Sequence, residues 1–507
     1  MLAKIKSFAL SGLQGFLVDV EVDVNNGMPC FEIVGLPDTA VKESKERVRL
    51  AIKNSGKKCP TTKITVNLAP ADVKKQGAYL DLSIAVGIIK ASSDIQLIGV
   101  EDYIFIGELS LDGSLRGVQG ILPLIISAKA SGYKKFIIPY ENKTEASFIE
   151  GVEVFAINDL SGVIKFLQQP TEQNAVLPIS YSLDKKSISY DVDLSYVKGQ
   201  ALAKRAIEVA VAGGHNVLLI GPPGAGKTML ARCIPTIMPD MSFDEALETT
   251  KIHSVAGTLK SDEGIVYERP FMTPHHTASQ VSIIGGGQNA MPGIISLAHN
   301  GVLYLDEMPE YPRAVLESLR QPLEDRVITI TRAKASVEYP ASFMMVASLN
   351  PCPCGNYGSK TATCTCSFSQ IQKYRSKISG PLLDRIDLQI AVDGVEYGDL
   401  VSESREESSL EVKRRVNIAR NIQRERFKDE KITCNAEMGE KHIKKYCKLS
   451  PECEDVIKSA FTSLNLSARA RSRIIKVART IADIELSTEI KPSHVLEAVG
   501  YRSNVSL

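Results

Sequence analysis

The stretch Gly221, Pro222, Pro223, Gly224, Ala225, Gly226, Lys227, Thr228 decides the reading of this chain. It fits the pattern G-x-x-x-x-G-K-[ST], follows the apolar run Asn216-Val-Leu-Leu-Ile220, and precedes the helix-compatible Met229-Leu-Ala-Arg232. A buried strand, a glycine loop and a helix start therefore occur in the order that a phosphate loop requires. Its glycines let backbone N–H groups turn toward phosphate oxygens, and the helix adds its positive end. Lys227 is placed for the outer phosphates and the Thr228 hydroxyl for magnesium. An ordinary strand-to-helix turn would have no need of the Lys-Thr pair.

The strand Gly301-Val-Leu-Tyr-Leu-Asp306-Glu307 supplies the second half of such a site. An acid at the end of a buried strand holds magnesium, which suits Asp306, and Glu307 is placed to polarise the water that attacks the γ-phosphate. The next apolar strand, Ser342 to Asn350, ends in an amide able to bond the γ-phosphate or that water. In Ser379-Gly-Pro-Leu-Leu-Asp384-Arg385-Ile-Asp387, Arg385 reads either as a structural ion pair or as an arginine finger offered to a neighbouring subunit. Arg469, Arg473 and Lys476 fall on one face of a C-terminal helix at i, i+4, i+7.

The 507 residues exceed a single core. Polarity rises and periodicity fades between residues 169 and 191, so the chain divides into 1–170, a linker 171–191, a nucleotide-binding core 192–395 and a helical region 396–507. The fold class is α/β: an α+β N-terminal domain, a P-loop core with a parallel sheet, and a C-terminal helical lid. Lys plus Arg number 60 against 59 acids, which excludes a global field that draws the chain to nucleic acid or membrane. Ten cysteines in this length form no disulfide framework, and with no long apolar run a cytoplasmic location is expected.

Three insertions bear on what the site would drive. Val327 to Tyr339 patterns as a hairpin with Arg332 and Lys334 near its tip; the pair reads as a DNA contact repeated around a pore or as a solvated tip. Cys352, Cys354, Cys364 and Cys366 form two close pairs, leaving structural zinc or free thiols open. His275 and His276 make a poor metal site, because adjacent side chains on an extended chain point apart.

The series resembles the AAA+ ATPases, in which Asn350 is positioned as sensor 1, Arg469 as sensor 2, and a pair like Gly199-Gln200 starts the helix beside the adenine. Residues 1–170 are similar to the proteolytic domain of Lon proteases, on stretches such as Ile106 to Arg116 and Ala130 to Pro139. That resemblance implies a Ser–Lys dyad, but this chain has Tyr79 and Leu122 at the two positions, so a non-catalytic assembly or substrate-guiding module is expected. Over nearly its whole length the chain resembles the magnesium-chelatase-like AAA+ ATPases of the YifB/ComM type, through Phe31 to Asp38, Gly213 to Lys227, Ser296 to Glu307, the cysteine loop and Val477 to Asp483. One departure is Pro292-Gly-Ile294, where the family commonly has an acid after Pro-Gly. The resemblance implies ATP and Mg²⁺ as cofactors, a homo-hexameric ring, and a DNA helicase or branch-migration role in recombination during natural transformation. A chelatase-type or protein-remodelling ATPase is the alternative.

Overall fold

The computed structural model describes residues 2–75, 77–92, 95–182, 190–260, 263–287, 289–331, 336–358, 363–394, 406–464 and 467–503. It begins with a mixed seven-stranded sheet in the order Cys30–Val34, Lys63–Ala69, Gln14–Asn25, Leu2–Ser11, Tyr103–Phe105, Lys135–Pro139, Glu153–Ile157. The first two strands in sequence form a hairpin closed at Ser11↔Gln14, with Gly12 at φ +63° in the turn. Val18, Val20 and Val22 are fully buried while Asp19, Glu21 and Asp23 lie on the wetter face, as the alternation predicts. The helix Thr39–Asn54 starts where the Asp38 side chain accepts from Val41 N at 2.8 Å.

The central sheet is five-stranded and parallel, in the order Phe271–Met272, Val302–Leu305, Met344–Leu349, Val217–Ile220, Leu388–Ala391. All residues of its three middle strands are buried, because helices and loops cover both faces. Parallel strands share one C-terminal edge. The phosphate loop opens from that edge after Ile220; Asn350 follows the strand beside it, and Asp306 follows the strand beyond that one.

Among the described residues, the α-helices Ser409–Arg426, Glu440–Tyr446, Pro451–Leu464, Ala468–Ile484 and Pro492–Ser503 form the C-terminal region. Their apolar faces share one core with the helix Ala201–Gly213 and one face of the central sheet. At the N-terminal end of the sheet, the buried Asp387 carboxylate joins the two: it accepts from Asn216 N at 2.9 Å and pairs with Arg473. Burial alone would raise this carboxyl; Arg473, His215 and the Asn216 N–H outweigh it and hold the group well below the usual carboxylate range. No helix among the described residues is long and apolar enough to cross a membrane.

The seven-stranded unit docks on the helix Phe243–Ala256, which lies between the phosphate loop and Asp306 in sequence. A capping box of Ser242 and Glu245 starts this helix and Gly257, at φ +68°, ends it. Near its end, Ser254 accepts from Gly120 N through both its carbonyl and its hydroxyl, each at 3.1 Å, and donates to Glu145. Glu145 also accepts from Leu122 N at 3.2 Å. An aromatic clasp closes the same face: Tyr181 stacks on Tyr267 at 5.3 Å, beside Phe243 and Phe148.

Burial pushes the Glu145 carboxyl up to about 7, against hydrogen bonds from Ser254, Leu122 and Asn142 that lower it. The folded value lies above the ordinary one, so this group stabilises the docked arrangement fully below about pH 4.5 and progressively loses that contribution as pH rises through 7. Thermal unfolding at pH 6 and pH 8 is expected to show a lower midpoint at pH 8 in the native chain. Glu145→Gln, which keeps the neutral form, is expected to remove that part of the pH difference; an equal drop in the variant would refute the assignment.

Candidate nucleotide site and its surroundings

Gly224 and Gly226 take φ values of +77° and +85°, and a Cβ at either would meet nothing within 4 Å. Their left-handed backbone favours glycine, and the open space in front of them leaves room for phosphate oxygens. Gly221 differs: a Cβ there would run into the Val392 carbonyl, so close strand packing requires glycine. Lys227 and Thr228 open the helix Lys227–Ile237, whose positive end faces the loop. The Lys227 ammonium donates to Gly221 O at 2.7 Å, Pro222 O at 2.9 Å and Asn350 Oδ1 at 3.1 Å. Burial lowers its pKa, and Asp306 and Glu307 partly offset that.

Asp306 is the most heavily bonded group in the site. Thr228 Oγ1 donates to its Oδ2 at 3.2 Å, and the Tyr304 hydroxyl donates to its Oδ1 at 2.9 Å. Ser348 also donates to Oδ1 and, through the same hydroxyl, accepts from Glu307 N at 3.1 Å. Burial pushes the Tyr304 hydroxyl up to about 12, which keeps it a donor. Glu307 is exposed in the left-handed region at φ +50°, so its carboxylate leaves the strand direction. With Asn350, Glu310 and Tyr374 it lines a cavity of about 460 Å³. A hydroxyl and a carboxylate at one point suit a partial Mg²⁺ shell, and a free carboxylate over a cavity suits a water-activating base.

The predicted arginines lie elsewhere. Arg385 is 5% exposed, pairs with Glu324 and donates to Pro381 O at 2.6 Å, so the ion-pair alternative describes it in this structure. Arg469 is exposed, and its charge acts on the same Glu324. Arg473 bonds Arg385 O at 3.1 Å and Asp387; half-buried Lys476 donates to Ala436 O at 3.0 Å. Gln200 starts its helix as expected and bonds Asp393 O at 2.5 Å. The reading that His275 and His276 point apart is corrected: a turn at residues 276–277 brings the rings to 4.1 Å, and His275 bonds Thr277. The hairpin forms from Val327–Thr331 and Ser336–Pro340, while Arg332 and Lys334 lie outside the described residues.

The four cysteine sulfurs of the loop after Asn350 all lie within 4.8 Å of one another. Backbone N–H groups of Asn356 and Thr365 point at Cys354 and lower its thiol pKa. In the first unit, the Tyr79 hydroxyl accepts from Leu10 N at 3.4 Å and Leu122 is 1% exposed, so neither position offers a nucleophile–lysine pair.

Sequence reasoning missed Tyr304, Ser348 and Glu324. A lone hydroxyl inside an apolar strand leaves no periodic trace, and Glu324 meets Arg385 across 61 residues.

Three family profiles match the chain: "Magnesium chelatase, subunit ChlI" over residues 193–400, "Subunit ChlI of Mg-chelatase" over 20–142, and "Magnesium chelatase, subunit ChlI C-terminal" over 406–502. The competence protein ComM of Haemophilus influenzae is 42% identical over 100% of this chain and 98% of its own length. The Escherichia coli protein YifB is 42% identical over 99% of this chain and 97% of its own. Lon protease 2 of Bacillus subtilis is 32% identical over 151 residues, 29% of this chain and 26% of that protein.

Ser348 orders the Asp306 carboxylate and the Glu307 backbone together. Ser348→Ala removes a hydrogen bond to a charged group, worth roughly 1.5–3 kcal/mol, and so is expected to raise the Mg²⁺ concentration for half-maximal ATP hydrolysis about tenfold. Magnesium titrations at saturating ATP would read this, with Ser348→Thr restoring the native curve; superimposable Ala and native curves would reject the role.

Proposed function

Because the chain belongs to the magnesium-chelatase-like AAA+ ATPases of the ComM and YifB type, we propose that this ATPase is a hexameric motor that moves DNA, as a helicase or branch-migration factor in recombination during natural transformation. The observation that carries the catalytic part is the convergence of Lys227, Asn350, Thr228 and Asp306 within hydrogen-bond distance, with Glu307 free beside them. In this reading the backbone of Gly221 to Gly226 and the Lys227 ammonium bind the ATP phosphates. Thr228 and Asp306 hold Mg²⁺, Glu307 orients the attacking water, and Asn350 contacts the γ-phosphate or that water. Magnesium supplies neutralisation of charge on the β- and γ-oxygens. The cysteine cluster suits Zn²⁺, because four thiolates about 3.8 Å apart are the edges of a Zn–S tetrahedron with bonds of about 2.3 Å.

The arginines favour action between subunits. Arg385 and Arg469 share Glu324, and Arg385 is tied through Arg473 and Asp387 to the N-terminal end of the strands. The phosphate loop leaves the opposite edge, about 10–13 Å along four strand residues. A subunit's own Arg469 thus lies away from its own nucleotide, while a neighbour's site would receive it. The DNA part draws on the hairpin, whose basic tip residues Arg332 and Lys334 would repeat in six copies, and on the resemblance to ComM.

Steady-state ATP hydrolysis with single-stranded and four-way-junction DNA at two salt concentrations tests the DNA reading. Stimulation that fades with salt and is lost in Arg332→Ala with Lys334→Ala is expected. Absence of stimulation at low salt, with basal turnover intact, would discard the DNA motor in favour of a protein-remodelling or chelatase-type ATPase. Lys227→Ala and Glu307→Gln should each reduce turnover at least a hundredfold, about 2.7 kcal/mol of barrier.

Mixing two inactive variants separates the arginine assignments. Arg469→Ala supplies an intact phosphate loop and Lys227→Ala an intact arginine, so co-assembled rings are expected to regain turnover. Mixtures as inactive as their components would place Arg469 in its own subunit's site.

A further inference from the structure

The cysteine loop is continuous with the nucleotide site at one end and in contact with it in the middle. Asn350 ends the strand Met344–Leu349, and Cys352 follows after Pro351. Cys352 is fully buried; its sulfur lies 3.3 Å from that of Cys354 and 3.6 Å from that of Cys364, and accepts from Tyr357 N at 3.3 Å. Pro353 lines the cavity that holds Glu307 and Asn350.

Gly355 makes the most telling contact. It sits at φ +83°, where a Cβ would lie 2.8 Å from Pro223 Cγ, so the loop backbone rests directly on the phosphate loop. From the other side, Arg375 lies over the Tyr357 ring at 5.3 Å and its Nε donates to Pro351 O at 3.3 Å. A segment this short has no core of its own, so its position depends on these contacts and on whatever holds the four sulfurs together.

We propose that Zn²⁺ bound by Cys352, Cys354, Cys364 and Cys366 is a structural support of the ATP site, pressing Gly355 against Pro223 and Pro353 against the Glu307–Asn350 cavity, so that nucleotide affinity depends on metal occupancy. The inference rests on the zinc reading above and adds a direction of coupling. The metal does no chemistry on ATP. It fixes the loop that backs the phosphate loop, and without it the phosphate loop loses one wall. A site that must order its own wall at the moment of binding binds more weakly.

The test uses the full chain, reduced and in excess Mg²⁺, with zinc content read by elemental analysis and affinity by a fluorescent ATP analogue. One zinc per chain is expected. A zinc-selective chelator should weaken nucleotide binding at least tenfold, and added Zn²⁺ should restore it. Cys354→Ser should lose both zinc and affinity, Cys30→Ser should keep both, and Gly355→Ala should keep zinc yet weaken nucleotide, since its Cβ meets Pro223. Native protein without zinc, even after Zn²⁺ is supplied, would overturn the zinc reading and the proposal with it. Zinc present, but affinity unchanged on chelation and in Gly355→Ala, would overturn the coupling alone. Should Cys354→Ser fail to fold, chelation of the native chain and Gly355→Ala still decide.

Discussion

A buried carboxylate cannot stay ionised inside a protein unless its charge is met in place, and removing one partner of such a pair costs about 3–5 kcal/mol. Asp387 meets that condition with three groups from two other parts of the chain: Asn216 N and the ring of the adjacent His215, whose Nδ1 lies 3.7 Å away, and Arg473. His215 continues the chain of contacts to Thr480 at 2.9 Å, and Thr480 accepts from Asn435 at 3.0 Å. Asn435 and Arg426 both reach Asp483. The start of the phosphate-loop strand, the last strand of the sheet and the helical region are therefore fixed to one another by groups that cannot be left unpaired. A rotation of the helices has to carry Arg473, and with it the strand that leads into Gly221.

The two ends of the parallel sheet divide the labour. Backbone donors, Lys227 and the acids gather at the C-terminal edge, where strand ends leave N–H groups and side chains free for a ligand. The N-terminal edge holds Asp387, Arg385 and the Arg473 helix, where charges are spent on each other. Arg385 is the clearest case of a residue with two readings. Its sequence neighbours allow a fixed ion pair or a group offered to another subunit, and in this structure the half-exposed Glu324 holds the guanidinium.

What the sequence disclosed follows from how each signal is stored. The phosphate loop and the Asp306–Glu307 pair were legible because their chemistry is contiguous: backbone conformation, cation and hydroxyl occupy neighbouring positions. The helix Thr39–Asn54 and the strand Lys135–Pro139 rest on equally local features, a cap and an apolar run. Ser348 and Tyr304 were hidden because both faces of their strands are buried, so no alternation marks which residue turns toward Asp306. The histidine pair failed for a related reason: an extended chain was assumed where Pro274 leads into a turn. Lys476 and Arg473, which a helical face alone would leave solvated, are drawn inward by Ala436 O and Asp387 across long sequence separations.

The first unit shows how a fold keeps its architecture when the chemistry implied by a resemblance is absent. Leu122 fills core space where a catalytic lysine would need a polar pocket, and its backbone N–H instead donates to Glu145. Glu145 then bonds Ser254, on a helix of the nucleotide-binding core. The same part of the unit is thereby turned from a potential site into a docking surface. That surface meets the segment between Lys227 and Asp306, whose glycine-rich continuation, Gly285 to Gly293, packs against the base of the basic hairpin through Ile330 and Tyr339. The first unit also meets the hairpin directly: a Cβ at Gly12 would run into the Val337 side chain, and Leu13 packs on the core that holds Ile328 and Tyr339. The unit therefore rests on both the helix Phe243–Ala256 and the hairpin without containing the Ser–Lys pair that the resemblance implies.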